Sequence, residues 1–143
     1  MNNLKLAKST LFENEYSIVV VKENEIVYKS ESKGLQSLIS LYKNDVNTLE
    51  NSSIADKVIG RAAALILVDS NIKEVYADLI SQNAIDILDK SNIPYEYKAQ
   101  VKEIRNRDNT GMCPMEELSL KCVSADELIE KIEEKFNKWI QKN

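Results

Sequence analysis

Apolar side chains at Leu4, Leu6, Ala7, Leu11 and Phe12 recur at helical spacing and predict a short amphipathic helix. The period then changes. Tyr16 to Lys22 is β-branched and largely apolar, Glu23-Asn24 is polar and Glu25 to Lys29 alternates, which predicts a hairpin around a tight turn. Beginning at Gly34, residues Leu35, Leu38, Ile39, Leu41 and Tyr42 restore helical spacing as far as Asn44, and the polar residues 45–53 read as a loop. Ser53-Ile-Ala-Asp56 has the Ser-x-x-Asp form of a helix start, so the apolar residues from Ile54 to Val68 predict one central helix buried on nearly all sides. Small residues at Gly60 and at Ala62, Ala63 and Ala64 would let a neighbour approach it closely.

Ile72 to Ile80 reads as a strand, Gln82 to Lys90 as a helix with Ala84, Ile85, Ile87 and Leu88 inward, and Tyr95 to Val101 as another strand. A short helix is expected from Pro114 to Leu120. Ser124-Ala-Asp-Glu127 is a capping box, and Leu128, Ile129, Ile132, Phe136, Trp139 and Ile140 form a terminal-helix stripe assigned to the core. The β-β-α-β-α-β series implies an α/β fold layered α-β-α, a mixed sheet with helices on both faces. At 143 residues the expectation is one domain spanning 1–143.

Composition narrows the function classes. A net charge of −4 argues against a protein that tracks nucleic-acid phosphates. The longest apolar run, Ala62 to Val68, is too short to span a membrane, and Met1-Asn-Asn-Leu-Lys5 lacks a signal-peptide core, so the expected location is cytoplasmic. The sequence contains no histidine, which removes Ser-His-Asp and Cys-His machinery and histidine metal ligands. Cys113 and Cys122 make no CxxC motif and read as reduced thiols; no cofactor or metal is implied.

The chemistry-bearing residues cluster in Arg105 to Glu117, RNRDNTGMCPMEE. Cys113 precedes Pro114, a favoured first helical residue, so Cys113 is a candidate N-cap whose thiol would feel the helix dipole and the nearby Arg105 and Arg107. Glu116, at the third helical position, can act as a cap or as an acid or base. Arg107, Asp108, Thr110 and Gly111 have turn chemistry and can also present N–H groups and a guanidinium to an anion. Asp56 and Lys57 are placed at the mouth of the central helix, as a capping carboxylate and as an ammonium that the dipole opposes.

Asp56-Lys-Val-Ile-Gly-Arg-Ala-Ala-Ala64, Glu74-Val-Tyr-Ala77 and Asn106-Arg-Asp-Asn-Thr-Gly-Met-Cys-Pro-Met-Glu116, with the order of elements, resemble a small prokaryotic family of unknown function with a cytidine-deaminase-like fold. Deaminases of that fold carry an H/C-A-E motif at the first core helix and P-C-x-x-C at the next, around a zinc ion. The resemblance puts the first motif near Ile54-Ala55-Asp56 and the second near Ile80-Ser81-Gln82-Asn83. Neither holds a His or Cys, so zinc-dependent deamination is not expected. It also implies a pocket in which Cys113, Glu116, Asp56, Lys57 and Ser81 converge. Three function classes are compatible: an enzyme using thiol chemistry on a nucleotide-like molecule, a non-catalytic nucleotide or metabolite sensor, and a structural homodimer.

Overall fold

A computed structural model describes residues 2–32 and 35–135. Helix α1 (Asn3–Glu13) is capped by the Asn2 side chain, which accepts from the Lys5 N–H at 2.7 Å. Strands β1 (Ile18–Lys22) and β2 (Glu25–Ser30) form the expected antiparallel hairpin. Glu23 and Asn24 both have positive φ, 50° and 67°, as a two-residue turn with the twist of the flanking strands requires. Helix α2 (Gln36–Asn44) follows, and then α3 (Val46–Leu49), a single turn within the expected loop that places the fully buried Leu49 in the core.

The segment expected to begin the central helix is instead a strand. Residues Ser53–Ile59 form β3, and the helix, α4, runs only over Arg61–Asp69. Ser53 does not cap a helix: its hydroxyl donates to the Glu74 carboxylate at 2.5 Å. A short apolar run suits a doubly buried strand as well as a buried helix, and periodicity does not separate them. Pairing does. Residues 53–56 lie between β1 and β4, with Ile18 and Ala77 on either side of Asp56, and Gly60 marks the break before the helix. Ile54-Ala55-Asp56 therefore does not start the first core helix, and Asp56 and Lys57 sit on a strand.

The remaining elements are β4 (Glu74–Ser81), α5 (Gln82–Lys90), β5 (Tyr95–Val101), α6 (Pro114–Ser119) and α7 (Ala125–Lys135). The sheet order is β2-β1-β3-β4-β5, antiparallel across β2, β1 and β3 and parallel across β3, β4 and β5, with α4 and α5 as crossover helices. Helix α1 covers one face, packing Leu4, Ala7 and Leu11 on Val19, Val21, Ala55 and Tyr76. The other face carries the larger core, where Ile18, Val20, Ile54, Val75 and Ala77 meet α2, α4, α5 and α7. Helix α4 lies within it, buried continuously from Ala62 to Leu67. The mixed sheet with helices on both faces matches the expected layering.

The capping box at Ser124 forms: its hydroxyl accepts from the Glu127 N–H at 3.1 Å, while the Glu127 carboxylate accepts from the Val123 N–H at 2.8 Å. Gly34, Phe136, Trp139 and Ile140 lie outside the described residues. Among the described residues no helix is long and apolar enough to cross a membrane. Glu23 is poorly suited to positive φ, so replacing Glu23-Asn24 by Asn-Gly is expected to raise stability by about 1 kcal/mol. The check is a higher urea midpoint at unchanged slope.

Candidate functional site

Beyond the carboxyl end of β3, where the antiparallel hairpin meets the parallel strands, the structure encloses a cavity of about 690 Å³. Open α/β sheets place ligands at such changes of strand order. Asp56, Lys57 and Val58 line it from β3, Gly60, Ala62 and Ala63 from the start of α4, and Cys113, Met115 and Glu116 from the start of α6. Leu35 and Leu38 close one side, Ile104 another, and Glu15, Ser17 and Glu31 supply a polar rim.

Glu116 organises these walls. It is only 2% exposed, and both its carboxylate oxygens accept backbone N–H groups: Oε1 from Arg61 at 2.6 Å and Oε2 from Ile104 at 2.7 Å. Gly60 offers no side-chain cap to α4. Glu116 supplies that cap from another element and places its negative charge at the positive end of the helix. A Cβ on Gly60 would lie 3.0 Å from Glu116 Oε1 and 3.0 Å from Ile104 Cγ1, so the glycine leaves room for the carboxylate.

Arg61 completes the lock in the other direction. Its guanidinium donates to the carbonyls of Ser119 and Cys122, the latter at 2.8 Å, just beyond α6. A cation at the start of α4 opposes that helix's dipole, and these carbonyls offset the cost. The signal in the sequence was Gly60-Arg61 itself, a charged residue directly after a glycine inside an apolar run.

Asp56 lines the cavity from β3 and is half-buried. Burial pushes its carboxyl up from 3.8 to about 7, against the opposing pull of the Val58 and Lys57 N–H groups and with a further push from Asp78. The Val58 N–H donates to Oδ1 at 3.2 Å. Near neutrality such a carboxyl exchanges protons readily.

Cys113 is the N-cap of α6, as expected, but its thiol makes no capping hydrogen bond. Its backbone anchors it instead, with the N–H donating to the Ile104 carbonyl at 2.8 Å. Cys113 is half-buried and lines the cavity. Arg105 is directed away, towards Glu103 at 2.8 Å and Asn109 at 3.1 Å. Cys122 is buried, and burial pushes its thiol up.

The other sequence-derived residues lie apart from the cavity lining. Arg107, Asp108 and Thr110 are exposed, in a loop closed by Asn106, whose N–H donates to the Gly111 carbonyl and whose side chain accepts from the Thr110 N–H, both at 3.0 Å. Ser81 is fully buried and caps α5, accepting from the Ala84 N–H at 3.1 Å. The structure thus brings Cys113, Asp56, Glu116 and Lys57 together and leaves Arg107, Asp108, Thr110, Gly111 and Ser81 outside. Glu15, Ser17, Glu31 and Ile104 were missed because only the tertiary fold brings them to this wall.

The starts of α4 and α5 carry Gly60-Arg61-Ala62 and Ser81-Gln82-Asn83, with no thiolate or imidazole, so these residues do not fit a zinc ion. Among the described residues no group of three or more His, Cys, Asp or Glu is placed to hold a metal.

Fold and site together define a mixed five-stranded α/β protein with an acid-lined cavity at the carboxyl end of its parallel strands. Over residues 6–136 the sequence matches the TM1506 family, a domain of unknown function (DUF1893), and the chain belongs to it. A solved DUF1893 family protein from Thermotoga maritima is similar at TM-score 0.82 and 26% identity, over 94% of this chain and 91% of that one. The structural neighbours also include deaminase-type proteins at weak similarity. RibD of Acinetobacter baumannii has TM-score 0.46 and 16% identity over 67% of this chain and 33% of its own. The dCMP deaminase of cyanophage S-TIM5 has TM-score 0.47 and 15% identity over 66% of this chain and 93% of its own. No curated protein matches the sequence.

Two outcomes are expected. Glu116→Gln places an amide NH₂ against a backbone N–H and should cost about 1–3 kcal/mol in urea unfolding. Stability linked to Asp56 is fully present below about pH 3.8 and is lost as pH rises through about 7. Between about pH 5 and about pH 8 that group should cost the wild type on the order of 2 kcal/mol, and Asp56→Asn should lack this loss in denaturation curves at the two pH values.

Proposed function

We propose that the cavity binds a small nucleotide-like molecule through the edge of an amino-substituted nitrogen heterocycle, with Asp56 as the recognising and proton-exchanging group. The observation that carries this reading is the Asp56 carboxyl, held at about 7 in the wall of a cavity of about 690 Å³. When protonated, a carboxyl donates one hydrogen bond and accepts another. That pair matches a ring nitrogen beside an exocyclic amino group. Leu35, Leu38, Ile104 and Met115 supply apolar surface for the ring faces.

The rim narrows the ligand further. Glu15, Glu31 and Asp56 face a single Lys57, a balance that disfavours a phosphate and favours a base or nucleoside. Glu116 acts here as scaffold, because both its oxygens are committed to backbone N–H groups. A second reading, covalent chemistry at Cys113, is supported by the half-buried thiol sharing the cavity with Asp56, its candidate proton acceptor.

The test is thermal unfolding with cytidine, adenosine, uridine and the corresponding monophosphates. Amino-bearing nucleosides should raise Tm, by about 2.7 kcal/mol of stabilisation at a hundredfold excess over Kd, and the monophosphates should do less. Binding to the wild type should weaken as pH rises through Asp56's value of about 7. Asp56→Asn, which keeps a donor and an acceptor, should bind with little pH dependence, while Asp56→Ala should not bind. If Asp56→Ala responds like the wild type, or if no base or nucleoside shifts Tm, the reading fails. Cys113→Ser should retain the Tm shift under the binding reading and lose turnover under the covalent one.

A further inference from the structure

We propose that the β5 edge is a homodimer interface, in which two copies of this chain pair β5 with β5 antiparallel about a two-fold axis at Tyr97 and join their sheets.

The two sheet edges differ. On β2 the register slips between its pairings to Val20 and Val21, leaving Val27 as an extra residue in a bulge, a device that blunts an edge against addition of another strand. On β5 the pairing to β4 is uninterrupted from Tyr95 to Val101. The Pro94 carbonyl accepts from the Val75 N–H at 3.1 Å, which sets the phase of the ladder. Glu96, Lys98 and Gln100 therefore direct their backbone groups towards β4. Those of Tyr95, Tyr97 and Ala99 point outward, where among the described residues no strand lies beyond β5.

A two-fold axis at Tyr97 uses this phase. Tyr97 faces Tyr97 of the second copy and Tyr95 faces Ala99, and every one of these residues has its N–H and C=O available for the partner. Side chains agree with the same register. Glu96 of each copy falls opposite Lys98 of the other, giving two cross-strand pairs of opposite charge on the α1 face. Lys8, 3.1 Å from Glu96, extends each pair to a third charge. On the opposite face Tyr97, 43% exposed and stacked on Tyr95 with ring centroids 6.4 Å apart, would meet its own copy across the axis. Moving the axis to Lys98 would still pair the outward backbone groups, Tyr97 with Ala99, but would set the two lysines against each other. An axis between two residues would set outward groups against groups already bonded to β4, so the Tyr97 register is the one that both backbone and charge favour.

Sedimentation equilibrium on the full chain, with circular dichroism and Tm as folding controls, tests this. The wild type should sediment at twice the 16.3 kDa chain mass. Lys98→Glu turns both cross-strand pairs into repulsions and should raise the dimer dissociation constant roughly tenfold or more. Exchanging the charges with Glu96→Lys and Lys98→Glu together should restore the dimer. Ala99→Pro removes an outward N–H without breaking a bond to β4 and should also dissociate it. A wild type that stays monomeric up to about 1 mM, or a dimer insensitive to both Lys98→Glu and Ala99→Pro, overturns the proposal.

Discussion

The carboxylate of Glu116 is the interaction on which the cavity depends. One buried side chain joins the first N–H of α4 to the N–H of Ile104, and so ties the central helix, the segment after β5 and α6 into one wall. An ionised carboxylate in a protein interior is costly unless its oxygens are hydrogen-bonded, and here each oxygen has a backbone donor near its ideal distance. Arg61 repeats the exchange in reverse by donating to the carbonyls of Ser119, the last residue of α6, and of Cys122 just beyond it. Each helix therefore satisfies the end of the other.

That arrangement separates support from chemistry. Glu116 has both oxygens bonded to backbone N–H groups, one of them at a helix start, whereas Asp56, half-buried on the same cavity, accepts from the Val58 N–H and has its carboxyl pushed up to about 7. Two carboxyl groups on one cavity thus have different hydrogen-bond surroundings. The difference comes from their backbone surroundings: Glu116 reaches N–H groups at a helix start and a loop, and Asp56 projects from a strand whose own N–H groups are largely engaged in the sheet. Cys113 lines the same cavity, its backbone fixed by the Ile104 carbonyl and its thiol making no capping hydrogen bond.

Much of the fold was legible because its local signals agree with its tertiary context. The hairpin, α5, β5 and α6 follow from alternation, amphipathic spacing and Pro114, and the structure places them where those signals put them. Residues 53–59 were misread because Ser-x-x-Asp followed by apolar residues fits a helix start equally well in isolation. Only the neighbouring strands β1 and β4, which supply backbone partners on both sides, favour a strand there. Within the candidate site, Asp56, Lys57, Cys113 and Glu116 stand out by residue type and position, although Asp56 lies on a strand and not at a helix mouth. Arg107, Asp108, Thr110 and Gly111 were grouped with them by proximity in the chain. The loop instead turns back on Asn106 and carries them away from the cavity.

By itself the sequence determined the alternation of strands and helices, the absence of imidazole chemistry and the pairing of Cys113 with a helix start, since each rests on residue type or on spacing within a few positions. Tertiary structure decided that Ser53–Ile59 is a strand, that Glu116 caps a helix 55 residues away and that Asp56 titrates near neutrality. These properties depend on which backbone groups meet a side chain and how much water they exclude. Both are set by segments distant in sequence, which no local pattern encodes.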